Sequence, residues 1–174
     1  MKRNLLALYP EPKDARRALE TLLAHDFPLD ALSLLVGTQT RNQHFSEEAN
    51  KMPGGAQAEG TFVPLVNQLS FLGATDFPGD GWIAGPLLTD MELHYSGVLG
   101  RSLHEELMRL GLQDSVAQSI VSALPAGEVL IGVVAPNHER NEEAERQLQA
   151  IKRPPRLTAT YERDPTVDVT AGGP

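Results

Sequence analysis

Val129-Leu130-Ile131-Gly132-Val133-Val134-Ala135, closed by Pro136-Asn137, decides how this chain is read. A β-branched apolar run of that length, bounded by turn residues, predicts a buried strand. Residues 139–151 follow with Ala144, Leu148 and Ile151 on one stripe among glutamates and arginines, the spacing of an amphipathic helix. Pro154-Pro155 stops that helix, and Leu157-Thr158-Ala159-Thr160-Tyr161 predicts a second strand. The N-terminus has the same grammar. Leu5-Leu6-Ala7-Leu8-Tyr9 is a short apolar run closed by Pro10 and Pro12. From Asp14 onward Ala15, Ala18, Leu19, Leu22 and Leu23 recur at helical spacing, and Leu32-Ser33-Leu34-Leu35-Val36 follows Phe27-Pro28 and a short turn.

Two strand–helix–strand halves, residues 4–37 and 128–162, therefore look like a degenerate repeat with Pro10 and Pro136 in matching places. Joined in sequence, such halves predict an α+β fold: a ferredoxin-like split βαβ sandwich, with a four-stranded antiparallel sheet and two helices on one face. The right-handed crossover preference favours it. A doubly wound parallel sheet is the alternative, with the helices on opposite faces.

Residues 38–127 form a long insertion within a single domain spanning residues 1–163. Its first part, 39–60, is polar with Pro53 and Gly54-Gly55, a composition that predicts disorder. Residues 62–72 are mixed apolar, and a glycine-rich segment leads into two helices. The first, near 99–110, carries Leu99, Leu103, Leu107 and Leu110 and ends at Gly111. The second starts at Asp114 as N-cap and lines up Ala117, Ile120, Val121 and Leu124. They predict an αα-hairpin that must bury its apolar stripes on the sandwich or on another subunit. Residues 164–174 predict a disordered tail.

Composition narrows the chemistry. The 174 residues contain no cysteine, which excludes disulfides, thiolate metal sites and cysteine nucleophiles and suggests a reducing compartment. The formal net charge of −8 opposes a nucleic-acid partner, since Lys152, Arg153 and Arg156 are the one basic gathering. The apolar run at residues 5–8 is too short for a secretory signal, and polar residues interrupt every candidate membrane span. A soluble, cytoplasmic protein with no integral membrane segment is expected.

Candidate ligand-binding or interface residues cluster in the insertion: Gly79, Asp80, Gly81, Trp82, Gly85, Pro86, Asp90, His94 and Tyr95. Gly79-x-Gly81-x-x-x-Gly85 is one residue longer than a dinucleotide fingerprint, and Pro86 stands where that motif opens its helix. No lysine completes a phosphate loop, and Leu87 occupies the position at which a calcium loop needs glutamate. The glycines alternatively permit close backbone approach. Trp82, the single tryptophan, is either an exposed platform or an anchor. Asp90, His94 and Ser96 are too crowded in sequence for a catalytic triad. His94 and His104, with Glu92, Glu105 and Glu106, lack a metal-ligand spacing, so His104-Glu105-Glu106 is expected on the wet side of its helix. No catalytic residue, metal or cofactor is expected.

Several stretches resemble the heat-induced bacterial general stress proteins. Leu6-Ala7-Leu8-Tyr9 with Ala15-Arg16-Arg17-Ala18-Leu19-Glu20-Thr21-Leu22 is similar to that family's opening strand and helix, and Trp82-Ile83-Ala84-Gly85-Pro86-Leu87 to its apolar-Ala-Gly-Pro-Leu signature. Residues 107–112 and 117–130 resemble its later helix end and its helix before Gly-x-Val-Leu. The middle departs from the family, with polar residues and Asp76 in place of Gly/Ala-rich helix. The resemblance implies a stress association and carries over no catalytic residue.

Two functions follow as expectations. One is a noncatalytic stress or regulatory protein that self-associates, a homo-oligomer, or binds a partner. The other is a small-ligand-binding or enzymatic domain whose pocket, for an unknown ligand, lies between sheet and insertion and is lined by Trp82, Tyr95, His94 and Asp90. Peripheral membrane attachment through residues 62–72 is a weaker third, opposed by the acidic charge.

Overall fold

The computed structural model describes residues 2–44, 74–77, 81–95 and 102–163. Strand β1 (Arg3–Tyr9) leads into α1 (Pro12–Ala24), whose proline at the first helical position needs no amide partner. A short 3-10 turn, Leu29–Ala31, delivers the chain to β2 (Leu32–Val36). Helix α2 (Thr38–His44), short strands β3 (Ala74–Phe77) and β4 (Gly81–Ala84) and helix α3 (Pro86–Tyr95) come next. Then follow α4 (Leu103–Arg109), α5 (Asp114–Ala123), β5 (Val129–Ala135), α6 (His138–Gln149) and β6 (Leu157–Glu162).

Among the described residues the sheet has six strands in the order β3-β4-β2-β5-β1-β6, and every neighbouring pair is antiparallel. That excludes the doubly wound parallel arrangement and corrects the expected four strands. The two additions, β3 and β4, come from the insertion and extend the β2 side. They escape a sequence reading because each is four residues long and Gly81 opens one of them.

Alternation of side chains along the strands splits the apolar residues between two cores. On one face Leu5, Ala7, Tyr9, Leu34, Val36, Ile131 and Val133 meet Ala15, Ala18, Leu19 and Leu22 of α1 and Ala144 and Leu148 of α6. On the other, Leu6, Leu8, Leu35, Ile83 and Leu130 meet Leu87, Leu88 and Met91 of α3, Leu103 and Leu107 of α4, and Ala117 and Ile120 of α5. Both helices of the strand–helix–strand halves thus lie on one face. The insertion covers the face that a two-layer sandwich would leave open, and the described chain is three layers thick.

The expected αα-hairpin is α4 and α5, with Gly111 at a φ of 107° between them. Its caps differ from the sequence expectation. Ser102 caps α4, its hydroxyl accepting from the Glu105 amide at 3.2 Å, whereas Asp114 lies inside α5 and Gln113 holds the N-cap position without a side-chain bond. Residues 39–44 of the stretch expected to be disordered belong to helix α2. The remainder of 39–60, the apolar stretch 62–72 and the expected tail 164–174 lie outside the described residues. Among the described residues no helix is long and apolar enough to cross a membrane.

Candidate functional site

Most of the candidate residues belong to one local device, the passage from β4 into α3. Strand β4 lies against β2 with Trp82 opposite Val36, Ile83 opposite Leu35 and Ala84 opposite Leu34. Gly81 allows the close approach, because a Cβ there would stand 2.3 Å from the Val36 carbonyl oxygen. Gly85 then turns the chain at a φ of 97°, and a Cβ on it would stand 2.3 Å from the Leu32 carbonyl oxygen. Both conditions select glycine. Pro86 opens α3, the Leu87 amide donates to the Ser33 hydroxyl at 2.9 Å, and the Leu88 amide donates to the Gly85 carbonyl at 3.0 Å.

Trp82 is an anchor. Its ring is buried at 4% exposure in the α1/α6 core, with the Arg41 guanidinium 5.0 Å from the ring centroid. A cation over a ring face adds to the apolar burial.

One turn into α3, Asp90 enters the opposite core as a buried charge, 3% exposed. Its carboxylate accepts from the Tyr161 hydroxyl on Oδ2, from Arg163 Nε at 3.1 Å on both oxygens, and from Arg163 Nη2 at 2.8 Å on Oδ1. Asn4 Nδ2 completes the group by donating to the Tyr161 oxygen at 3.0 Å. Four elements are tied together: β1 through Asn4, β6 through Tyr161, the exit from β6 through Arg163, and α3 through Asp90. Burial, then the neighbouring Asp90 charge and the hydrogen bond to it, raise the Tyr161 hydroxyl well above its usual range, with Asn4 and Arg163 opposing. Tyr161 therefore stays a neutral donor.

Chemically the network is closed. A carboxylate offers about four lone-pair sites, and both Asp90 oxygens are engaged by three donor groups, the Tyr161 hydroxyl and the Nε and Nη2 of Arg163, with the Nε–H shared between the two oxygens. A buried ion pair of this kind contributes little net stability against an apolar substitute, yet losing one partner is costly. Asn4 Oδ1 is buried without a hydrogen-bond partner, and a Cβ on Gly132 would stand 2.9 Å from it, so Gly132 of β5 leaves room for that amide.

The remaining candidates fall elsewhere. Gly79 and Asp80 lie outside the described residues, while His94 and Tyr95 close α3, where the backbone alone is described. The expected wet face of α4 needs correction: Glu106 is buried at 1% exposure alongside Leu103 and Leu107, because it lies three residues from Leu103 on the sheet-facing side. His104 instead reaches Asp114 of α5 at 2.8 Å. An open groove of about 390 Å³ lies outside all of these candidates, lined by Ser115, Gln118, Ser119, Ser122 and Arg156.

Sequence reasoning singled out Asp90 but not its partners. Asn4 interrupts the apolar face that carries Leu6 and Leu8, and Tyr161 ends the stripe that starts at Leu157 and Ala159. Those polar breaks on an otherwise apolar face were the available signal. The chain matches no family model, no curated protein and no solved structure.

Proposed function

We propose that this chain is a noncatalytic protein of the regulatory or stress-associated kind that acts by self-association, on a ferredoxin-like core of β2, β5, β1 and β6 extended by β3 and β4. The central strand order β2-β5-β1-β6, with α1 and α6 on one face, supports the core assignment. The stress association rests on the resemblance of the Trp82–Leu87 and N-terminal stretches to the general stress proteins.

The single observation that carries the functional reading is the closure of the Asp90 network. The acidic side chain best placed for chemistry between sheet and insertion is engaged on both oxygens by Tyr161 and Arg163, and Tyr161 itself belongs to the packed core that includes Leu6, Leu88 and Met91. With both sheet faces covered by the chain's own helices, association falls to the strand edges and outer helix surfaces. Light scattering of the purified full chain, without added partner, tests this. A mass above one chain is expected, and a single-chain mass at every concentration overturns the reading. A metabolite screen monitored by Trp82 fluorescence is expected to give no response.

A further inference from the structure

We propose that β6 is a docking edge for a second copy of this chain, pairing antiparallel with its own counterpart about a two-fold axis at Ala159 to make one continuous sheet through both subunits. This rests on the self-association reading and names its surface.

The free hydrogen-bonding groups follow from the ladder to β1. The Arg163 amide donates to the Lys2 carbonyl at 3.2 Å, which makes Lys2 and Arg163 a hydrogen-bonded pair. Antiparallel ladders alternate, and the register sets Asn4 opposite Tyr161, Leu6 opposite Ala159 and Leu8 opposite Leu157, so these are the other inward-bonded pairs. The N–H and C=O groups of Thr158, Thr160 and Glu162 consequently point away from the sheet. Strand β6 ends the strand order, and among the described residues no strand pairs with its outer side.

Natural edges are blocked by proline, lysine or a bulge in mid-strand. Leu157-Thr158-Ala159-Thr160-Tyr161-Glu162 carries none of these, and its pairing with β1 runs without interruption.

The sequence is self-complementary in a register those outward groups permit. Outward residues must face outward residues, and placing the axis at Ala159 sets Thr158 opposite Thr160 of the partner subunit, twice. The same register sets Leu157 opposite Tyr161 on the face shared with α3–α5. Threonine pairs are favourable cross-strand neighbours, and Ala159 at the axis is small. A register centred on Thr160 would instead place Thr158 against Glu162. Arg156, ahead of β6, turns inward instead, its amide donating to the Leu8 carbonyl at 2.7 Å and its guanidinium to Glu128, so the outward pairing is carried by Thr158 and Thr160. Complementarity of this strand with itself is what selects a second copy as the occupant.

Thr160→Pro is the discriminating variant. It deletes an outward N–H while leaving every β1–β6 hydrogen bond in place, and proline is tolerated at such edge positions. Sedimentation equilibrium of the full wild-type chain is expected to give twice its 18.9 kDa mass, and Thr160→Pro, with unchanged circular dichroism, one chain mass or a dissociation constant raised at least tenfold. Thr158→Pro, which deletes the other outward N–H of the paired register, is expected to weaken the dimer similarly. A wild-type monomer overturns both the self-association reading and its surface. A dimer that survives both Thr160→Pro and Thr158→Pro overturns the β6 edge alone.

Discussion

Asp90→Asn isolates the contribution of the buried network. The substitution keeps the shape of the side chain and one acceptor oxygen, but it removes the charge that faces Arg163, whose side chain is 7% exposed. Taking one partner from a buried ion pair costs roughly 3–5 kcal/mol, because the other charge stays desolvated. Total stability in domains is on the order of 5–15 kcal/mol. At about 2–4 °C per kcal/mol for a chain of this size, the loss corresponds to a fall of roughly 6–20 °C in melting temperature. Urea unfolding followed by Trp82 fluorescence and by circular dichroism measures it, and the two probes should shift together because the network links both strands to α3. Asp90→Leu combined with Arg163→Met is expected to recover part of the loss, since an apolar pair carries no desolvated charge while the Tyr161 hydroxyl proton loses its acceptor and its oxygen keeps the bond from Asn4. A change of only about 1 kcal/mol, the value of an exposed ion pair, would refute the idea that this contact holds the insertion to the sheet.

Three further expectations follow from the same structure. Gly85→Ala combines a φ of 97° with a Cβ 2.3 Å from backbone, and should cost roughly 2–5 kcal/mol from left-handed strain plus overpacking, whereas Gly111→Ala, at a φ of 107° with nothing within 4 Å, should cost only about 1–2 kcal/mol; chemical denaturation of both variants separates strain from clash. Tyr161, raised by burial and Asp90, and Tyr9, raised by burial and then Asp14, hold their protons more tightly folded than unfolded. Stability from both is complete below the unfolded tyrosine value of about 10 and falls as pH rises above it, so a pH series of melting temperatures should decline in alkali and Tyr161→Phe should flatten that decline. Asn137→Ala removes the side-chain cap at 2.8 Å on the Arg140 amide and should destabilise by about 1 kcal/mol, readable as a shifted urea midpoint.

The halves of the fold were legible because their signals are local. Residues 129–135 and 5–9 are apolar runs ended by proline, and α1 and α6 show their stripes within single helices. The insertion was less so. Helix α2 is Thr-Gln-Thr-Arg-Asn-Gln-His, with no apolar stripe to betray it, and β4 opens with a glycine whose reason is the carbonyl of Val36, far away in sequence. The candidate site shows the same division. Gly85 and Pro86 could be picked out as a turn into a helix, but the bonds from Asp90 to Tyr161 and Arg163 join positions more than 70 residues apart and depend on tertiary contact alone. Glu106 was assigned to solvent because charge usually marks the wet face, and the helix instead turns it toward the sheet beside Leu103 and Leu107.

Amide hydrogen exchange across a concentration series reads the β6 edge most directly. The inward amides of Leu157, Ala159 and Tyr161 should be protected at every concentration. The outward amides of Thr158 and Thr160 should gain protection as concentration rises, in step with the mass. Fast exchange at both outward positions in a sample shown to be dimeric would contradict pairing through this strand.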